Sequence, residues 1–191
     1  AILAQVFRSS PPCDPMSCCF PWLSRGPPRP LKSVDVPGFG SAAVQVQRAG
    51  GNTFVTLDMF KGLPFRVPFC SAVVAGDGTV HVSGTIALLP AAEGNPIAVL
   101  PGGPGPEAKR TMELIEAVLK ACGAGLEHIT MAHVFLVDYT PDRFAAMNGG
   151  YLEFWGERPL PARICTGATA VGAGASVEID VVAKLPAWGR G

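Results

Sequence analysis

Two ionisable side chains stand in an otherwise apolar part of the sequence. The segment 159–185, PLPARICTGATAVGAGASVEIDVVAKL, has two β-prone runs, one with Arg163 and Cys165 and the other with Glu178. A guanidinium group stays charged at physiological pH, and its planar fork can bind a carboxylate through two hydrogen bonds. A carboxylate can orient or activate a water molecule. The pair predicts either a site for a small organic acid or a structural salt bridge between Arg163 and Glu178.

Cys165 is a weaker candidate for chemistry. A nucleophilic cysteine needs a nearby base and a lowered thiol pKa. The three histidines, His81, His128 and His133, are not placed beside it by the sequence. We therefore expect no covalent role for Cys165.

The other cysteines do not suggest a metal centre or a disulfide framework. Cys13, Cys18 and Cys19 form one irregular cluster, and no CxxC motif occurs. This pattern gives at most a weak indication of zinc, and we predict no metal site. Reduced thiols in a cytosolic or organellar compartment are the expectation.

Composition narrows the class of protein. Hydrophobic residues make up 48% of the 191 residues and charged residues 16%, with Lys+Arg and Asp+Glu both at 15. A chain without net charge is not expected to bind nucleic acid or a membrane surface through a polyelectrolyte patch. No apolar run approaches the roughly 18 residues that a membrane span needs. We expect a soluble protein whose apolar surface is partly covered by a partner.

The chain divides into four predicted segments. Residues 1–30 hold seven of the 19 prolines and predict a poorly ordered extension or a transit-peptide remnant. The location is then cytoplasmic, or mitochondrial or plastid if the segment is a targeting remnant. Residues 31–67 form a transition with one or two strands, at AAVQVQR and TFVTLDMF. A folded domain is expected at 68–186, followed by a tail at 187–191.

Within 68–186 the pattern predicts the order β-β-α-β-α-β-β. A hairpin is expected around Gly76-Asp77-Gly78, and helices are expected from about Pro106 to Gly123 and from Thr140-Pro141 onward. Such an order is typical of an α+β domain with two helices on one face of a mixed sheet.

The last strand indicates that the other face of the sheet is also covered. In SVEIDVVAKL, the odd-numbered residues from Val177 point one way, and Glu178, Asp180 and Val182 point the other way. A face that mixes apolar and acidic residues suits a surface between subunits with a polar pocket. We therefore expect an oligomer.

Four sequence motifs resemble those of one known protein family. VHVSGTIAL, NGGYLEFW, PLPARIC and SVEIDVVA, in this order, resemble the reactive-intermediate deaminase family, also called Rid or YjgF, over about residues 68 to 186. The resemblance implies a chorismate-mutase-like (ferredoxin-like) sheet, assembled as a homotrimeric barrel with sites in the clefts between subunits. It further implies hydrolysis of 2-imino acids such as 2-iminobutanoate to 2-oxo acids and ammonia, with no metal or organic cofactor.

The resemblance also assigns roles to individual residues. Arg163 would clamp the substrate carboxylate and Glu178 would hold the attacking water. The substrate-binding set would add Phe69, Ser83, Gly84, Asn148 and Cys165. The alternatives are a strand-ending turn at Ser83-Gly84, local backbone capping by Asn148, and pairing of Glu178 with a backbone amide.

Two departures from the family pattern affect the expected substrate range. Many relatives have a tyrosine where this chain has Phe69, and a glutamine where it has Thr85.

Two other functions stay open: a non-catalytic sensor of 2-oxo acids and an endoribonuclease that inhibits translation. A structural or chaperone role is a third alternative.

Overall fold

The computed structural model describes residues 30–59, 67–90 and 98–185. The predictions for segment 1–30, apart from Pro30, and for the tail at 187–191 lie outside these residues. No helix within the described ranges combines the length and the apolarity that a membrane-spanning segment requires.

Strands dominate the described chain, and two long helices accompany them. The strands are β1 (Ser33–Val36), β2 (Gly40–Ala49), β3 (Asn52–Leu57), β4 (Ala72–Val74), β5 (Thr79–Ile86), β6 (Leu88–Leu89), β7 (Ala98–Val99), β8 (Ile129–Val137), β9 (Ala162–Ala168) and β10 (Val177–Lys184). The helices are α1 (Pro104–Cys122) and α2 (Pro141–Trp155). Short 3₁₀ turns lie at Leu126–His128 and Gly172–Gly174.

Eight strands form one mixed sheet in the order β1-β2-β3-β4-β5-β10-β8-β9. All neighbours are antiparallel except β8 and β9, which are parallel because α2 connects them. The predicted β-β-α-β-α-β-β order is confirmed as β4, β5, α1, β8, α2, β9 and β10. The small β6–β7 pair was not expected, because the Gly and Pro content of LPAAEGNPIAVLPGGPG, residues 89–105, is typical of a loop.

The helices begin and end where local chemistry favours it. Pro104 occupies the first turn of α1, two residues before the predicted start, and Gly123 ends the helix with a left-handed φ of 83°. In α2, the Thr140 hydroxyl accepts a hydrogen bond from the Arg143 N–H at 3.3 Å, which satisfies one of the free amides of the first turn.

The core lies between the helices and one face of the sheet. Helical spacing predicts an apolar stripe on α1, and all of its residues are buried: Ala108, Met112, Ile115, Val118, Leu119 and Cys122. Met147, Tyr151, Phe154 and Trp155 of α2 are buried too. In β10 the burial alternates as predicted, because the odd-numbered residues Val177–Ala183 face the helices and the even-numbered residues do not. We call the other side the open face; Phe54, His81, His133, Phe135 and Glu178 lie on it.

The first three strands extend the sheet beyond β4. The strands expected at AAVQVQR and TFVTLDMF are β2 and β3, while β1 was not expected. Arg110 of α1 fastens this extension to the domain. It is 8% exposed, donates hydrogen bonds to the carbonyls of Pro37 and Leu88, and lies 5.9 Å from the Phe39 ring centroid.

Candidate functional site

Four of the predicted site residues line one cavity of about 300 Å³. Phe69 precedes β4, Ser83 and Gly84 lie in β5, and Glu178 lies in β10. The strands β5 and β10 are neighbours, and their register shifts between Ile179 and Val181. This bulge re-aims the backbone of β5 at Ser83 and Gly84, next to the Glu178 side chain.

The carboxylate of Glu178 lies directly over the Gly84 backbone. A Cβ atom added to Gly84 would overlap Glu178 Oε1 and lie 3.0 Å from its Cδ, so only glycine leaves room for the carboxylate. Glu178 Oε2 accepts a weak hydrogen bond from the Gly172 N–H at 3.4 Å. Within the part of the chain that the structure describes, Glu178 has no ion pair, and its side chain is part of the cavity lining.

The buried carboxylate of Glu107 fixes the start of β10. Glu107 is 4% exposed and accepts hydrogen bonds from the N–H groups of Ser176 at 2.6 Å and Val177 at 3.2 Å. These bonds join α1 to the residues immediately before Glu178. Glu107 is therefore a positioning residue, and the sequence did not reveal it because the contact joins residues 69 and 70 positions apart.

Ser83 is bound within the cavity wall. Its hydroxyl donates to the Cys70 carbonyl at 2.7 Å, and its own carbonyl accepts from the Thr85 hydroxyl at 2.9 Å. This hydrogen bond from Ser83 thus holds the segment that contains Phe69 against β5. A substrate at this position would meet the oxygen lone pairs of Ser83, which can accept a hydrogen bond.

Arg163 lies elsewhere, on β9 at the edge of the sheet. Its guanidinium faces the helices, 4.9 Å from the Tyr151 ring centroid, with Nη1 4.0 Å from Met147 Sδ. The side chain is half-buried, and no acidic partner lies within ion-pair distance among the described residues. A cation over a tyrosine face is oriented without being neutralised.

Cys165 shares β9 with Arg163, and Asn148 follows Met147 on α2. Cys165 is two residues along the same strand and packs against the core. Burial raises the pKa of the Cys165 thiol, and the nearby Arg163 only partly opposes this shift. The thiol therefore stays protonated at neutral pH, which argues against a nucleophilic role. Asn148 is half-buried on α2, beside Met147.

The predicted site residues thus form two groups on opposite sides of the sheet. Glu178 lies on the open face beside Gly84, in the cavity that Phe69 and Ser83 also line, whereas Arg163 and Cys165 face the helices. Two strands, β8 and β10, also separate β9 from β5 in the sheet order. The structural salt bridge between Arg163 and Glu178 does not form, and one chain alone does not bring the two residues together.

The structure also reveals a pair that the sequence did not single out. His133 Nδ1 and Asp180 Oδ1 are 2.6 Å apart on the open face, where β8 and β10 pair residue for residue. Only the strand register brings them together, and no sequence motif signals it. Among the residues that the structure describes, no group of three or more His, Cys, Asp or Glu side chains could hold a metal ion.

Comparison with known proteins gives a consistent result. The family model described as Endoribonuclease L-PSP matches residues 63–185. The RutC family protein UK114 of Drosophila melanogaster is 36% identical over 116 residues, which cover 61% of this chain and 78% of that protein. A 2-iminobutanoate/2-iminopropanoate deaminase of Capra hircus is 32% identical over 116 residues, covering 61% and 79%.

A solved structure confirms the fold. E. coli TdcF, crystallised with bound serine, superposes with a TM-score of 0.55 at 23% identity, covering 68% of this chain and 97% of TdcF. The chorismate-mutase-like fold expected from the sequence is therefore confirmed. Strands β1 to β3 lie outside the range that the family model matches.

Proposed function

Because the chain belongs to the endoribonuclease L-PSP family, the YjgF/Rid family of the sequence motifs, we propose that it hydrolyses 2-imino acids to 2-oxo acids and ammonia. The relatives named as 2-iminobutanoate/2-iminopropanoate deaminases support this reaction. The substrates are small organic acids such as 2-iminobutanoate, and the reaction as proposed uses no metal or organic cofactor.

The separation of Arg163 from Glu178 carries the proposal. Among the described residues, Arg163 has no acidic partner within ion-pair distance, and Glu178, at the cavity wall, has no cation within ion-pair distance. The two groups meet if a second copy of the chain brings its Arg163 to the cavity of the first. The proposed assembly is a homotrimer, in which each such cleft is shared by two neighbouring subunits.

The surface at the sheet edge supports such an assembly. Ile164, between Arg163 and Cys165, is 50% exposed on the open face, and Phe69 at the cavity is 51% exposed. Large apolar side chains with this exposure are suited to burial against a partner. Contact through these surfaces would bring the β9 edge of one subunit towards the cavity of the next.

The proposed reaction uses these groups in sequence. Arg163 binds the carboxylate of the 2-imino acid, and main-chain groups at Gly84 and near Cys165 help to orient it. Water held by Glu178 attacks the imine carbon, which is electrophilic. The imine nitrogen takes up a proton from the water, and the tetrahedral amino alcohol then expels ammonia as its hydroxyl proton passes to the departing amine, which leaves the 2-oxo acid. The balance is one water consumed and one ammonia released for each imine.

A trapping assay tests the proposal. An amino-acid oxidase generates the imine, and semicarbazide traps whatever has not been hydrolysed. Adding the protein should lower the yield of semicarbazone, and Glu178→Gln should abolish this effect. Asp180→Asn is the matched control, because Asp180 lies two residues away on the same face and is paired with His133.

Two results would contradict the proposal. An unchanged semicarbazone yield across several imines would exclude deaminase activity. Calorimetric binding of 2-oxobutanoate without any acceleration of imine decay would instead identify a sensor.

A further inference from the structure

We propose that the outer edge of β2, at residues 45–49, pairs antiparallel with the same edge of a second copy of the chain, so that two sheets join into one. This inference goes beyond the proposed function, because β2 lies outside the range that the family model matches. It follows from the direction of the backbone groups of β2, from the point at which β1 ends and from the side chains along the edge.

The hairpin that joins β2 to β3 determines which backbone groups of β2 point outward. Gly50 and Gly51 form its two-residue turn, with φ angles of 57° and 80°, and the residues that flank them, Ala49 and Asn52, are partners. In such a hairpin the flanking residues exchange hydrogen bonds with each other, and so does every second pair further along the strands. The residues of β2 between these pairs direct their N–H and C=O groups away from β3.

Val44, Val46 and Arg48 are these outward-directed residues. The Val44 N–H donates to the Lys32 carbonyl at 3.0 Å, on the side of β1. Its β3 partner, Leu57, likewise donates its N–H away from β2, to a serine hydroxyl beside β4. Because the backbone direction repeats at every second residue, Val46 and Arg48 direct their N–H and C=O groups to the same side as Val44.

Strand β1 does not cover the rest of this edge. It pairs with Gly40–Ala43 of β2, and the chain ahead of it turns towards α1, where the Leu31 N–H donates to the Ala121 carbonyl at 3.2 Å. Within the described ranges, no strand pairs with the outer side of β2 beyond Val44. A strand edge with such backbone groups is a template for pairing with another strand.

The side chains along this edge allow it to face a copy of itself. Residues 45–49 are all exposed and include no acidic residue, and Val46 has 40% of its surface exposed. A contact between two identical edges has a two-fold axis, so each residue near the axis meets the same short segment of the other copy.

Val44 and Arg48 limit the register of this contact. With the two-fold axis at Val46, the pairing would need the Val44 N–H, which already binds Lys32. With the axis at Arg48, the two like charges would lie directly opposite each other. With the axis at Gln47, Val46 of each copy lies opposite Arg48 of the other, and each of these pairs exchanges two hydrogen bonds, about four in all.

The register centred on Gln47 also brings compatible side chains together. The two Gln47 amides lie opposite each other, where carboxamides can donate to and accept from one another. The aliphatic stem of Arg48 lies against the exposed Val46 of the other copy. The Gly50-Gly51 turn of each copy reaches the start of β1 in the other, and it is open to a neighbour, since a Cβ added to either glycine would meet nothing within 4 Å.

Charge substitutions at Val46 test this register. In Val46→Glu, each new carboxylate lies opposite Arg48 of the second copy, so two cross-strand ion pairs should lower the dissociation constant of the contact about two- to thirtyfold. In Val46→Lys, like charges lie opposite each other, and the constant should rise by a similar factor. Sedimentation velocity over a range of concentrations measures both constants, and the associated form should have twice the mass of the dissociated form.

Two results of this experiment would overturn the inference. One is an equal effect of the two substitutions, including no effect. The other is a mass that doubles in none of the proteins, which is the result expected if another part of the chain or a different protein covers the edge. Either result would leave the proposed imine hydrolysis intact.

A cysteine at the two-fold axis tests the contact without relying on charge. The two Cα atoms of residue 47 should lie about 4.5 Å apart, within reach of a disulfide. Gln47→Cys should therefore form a covalent dimer under copper phenanthroline at least tenfold faster than the unaltered protein, whose own cysteines set the background. Gln45→Cys is the matched control, because it is exposed on the same face but its counterpart lies about 14 Å away. Equal cross-linking of the two variants would contradict the proposed pairing.

Discussion

Arg163 and Glu178 project from opposite faces of the same sheet. Arg163 lies on the edge strand β9 and Glu178 on β10, with β8 between these two strands. The Arg163 guanidinium lies over the Tyr151 ring, and the Glu178 carboxylate lies over the Gly84 backbone. Within one chain, the two side chains on opposite faces do not form a structural ion pair. In the proposed site shared between two copies, one copy would supply the cation and the other the carboxylate.

Replacing Arg163 should remove most of the activity. Arg163→Ala deletes a charge-assisted bidentate contact worth roughly 2–4 kcal/mol, so kcat/KM for 2-iminobutanoate should fall roughly 30- to 1,000-fold. Stability should fall by about 0.5–1 kcal/mol at most, from loss of the contact with the Tyr151 ring. Steady-state kinetics and urea denaturation measure the two effects.

Arg158→Ala is the matched control for this variant. Arg158 also lies over an aromatic ring, with its guanidinium carbon 5.3 Å from the Phe154 centroid, but outside the proposed site. It should lose a similar small amount of stability and keep its activity. Equal activity losses in both variants would show that the arginines act through packing.

A side chain at position 84 should displace the Glu178 carboxylate and lower the activity. In Gly84→Ala the new methyl group would overlap Glu178 Oε1 and displace the carboxylate. Because the displaced group is the end of a flexible side chain, we expect a loss of activity of roughly tenfold or more with a change in stability under about 1 kcal/mol. Gly149→Ala, on the exposed side of α2 where a Cβ meets nothing within 4 Å, should stay active. Full activity of Gly84→Ala would mean that the carboxylate position is not important.

Arg110 should stabilise the attachment of the first three strands. Arg110→Met leaves the carbonyls of Pro37 and Leu88 without their donor, which should lower the free energy of unfolding by about 2–3 kcal/mol. Lys109→Met, at the neighbouring position, breaks an exposed ion pair with Glu153 and should cost less than about 1 kcal/mol. Urea denaturation of the two variants compares these costs directly; a smaller loss in Arg110→Met than in Lys109→Met would contradict this role.

The buried thiol of Cys122 should make the protein less stable at alkaline pH. Burial raises its pKa from 9.0 to about 12, with a smaller contribution from Cys70. Above pH 9 the unfolded thiol loses its proton while the folded thiol keeps it, so stability falls as the pH rises. From pH 8 to pH 10 this group should lower the free energy of unfolding by about 1 kcal/mol. Cys122→Ala should show a correspondingly smaller pH dependence, and an identical dependence would exclude this thiol as the cause.

Much of the fold follows from local patterns. The apolar stripe of α1 and the alternation in β10 were predictable because a helix face and a strand face each repeat at a fixed interval. The Gly76-Asp77-Gly78 hairpin and the Thr140 cap were predictable because their residue types favour those conformations.

The distribution of the site over two faces was not predictable in the same way. In β9 the polar Arg163 faces the helices, while the apolar Ile164 is half-exposed, so the usual relation between polarity and burial is reversed. The wall of the cavity likewise joins Met59, Leu88 and Val118 from three separate segments. Such contacts depend on tertiary packing, and no local motif encodes them.

Active-site complementation tests the central claim most directly. Arg163→Ala and Glu178→Gln are each expected to be inactive alone, and they are co-expressed with different tags so that mixed oligomers can be purified. If each site takes Arg163 from one subunit and Glu178 from its neighbour, every mixed trimer has one restored site out of three, roughly a third of the sites. Imine hydrolysis at roughly a third of the unaltered activity is therefore the predicted result. Mixed oligomers no more active than either variant alone would contradict a site built from two copies.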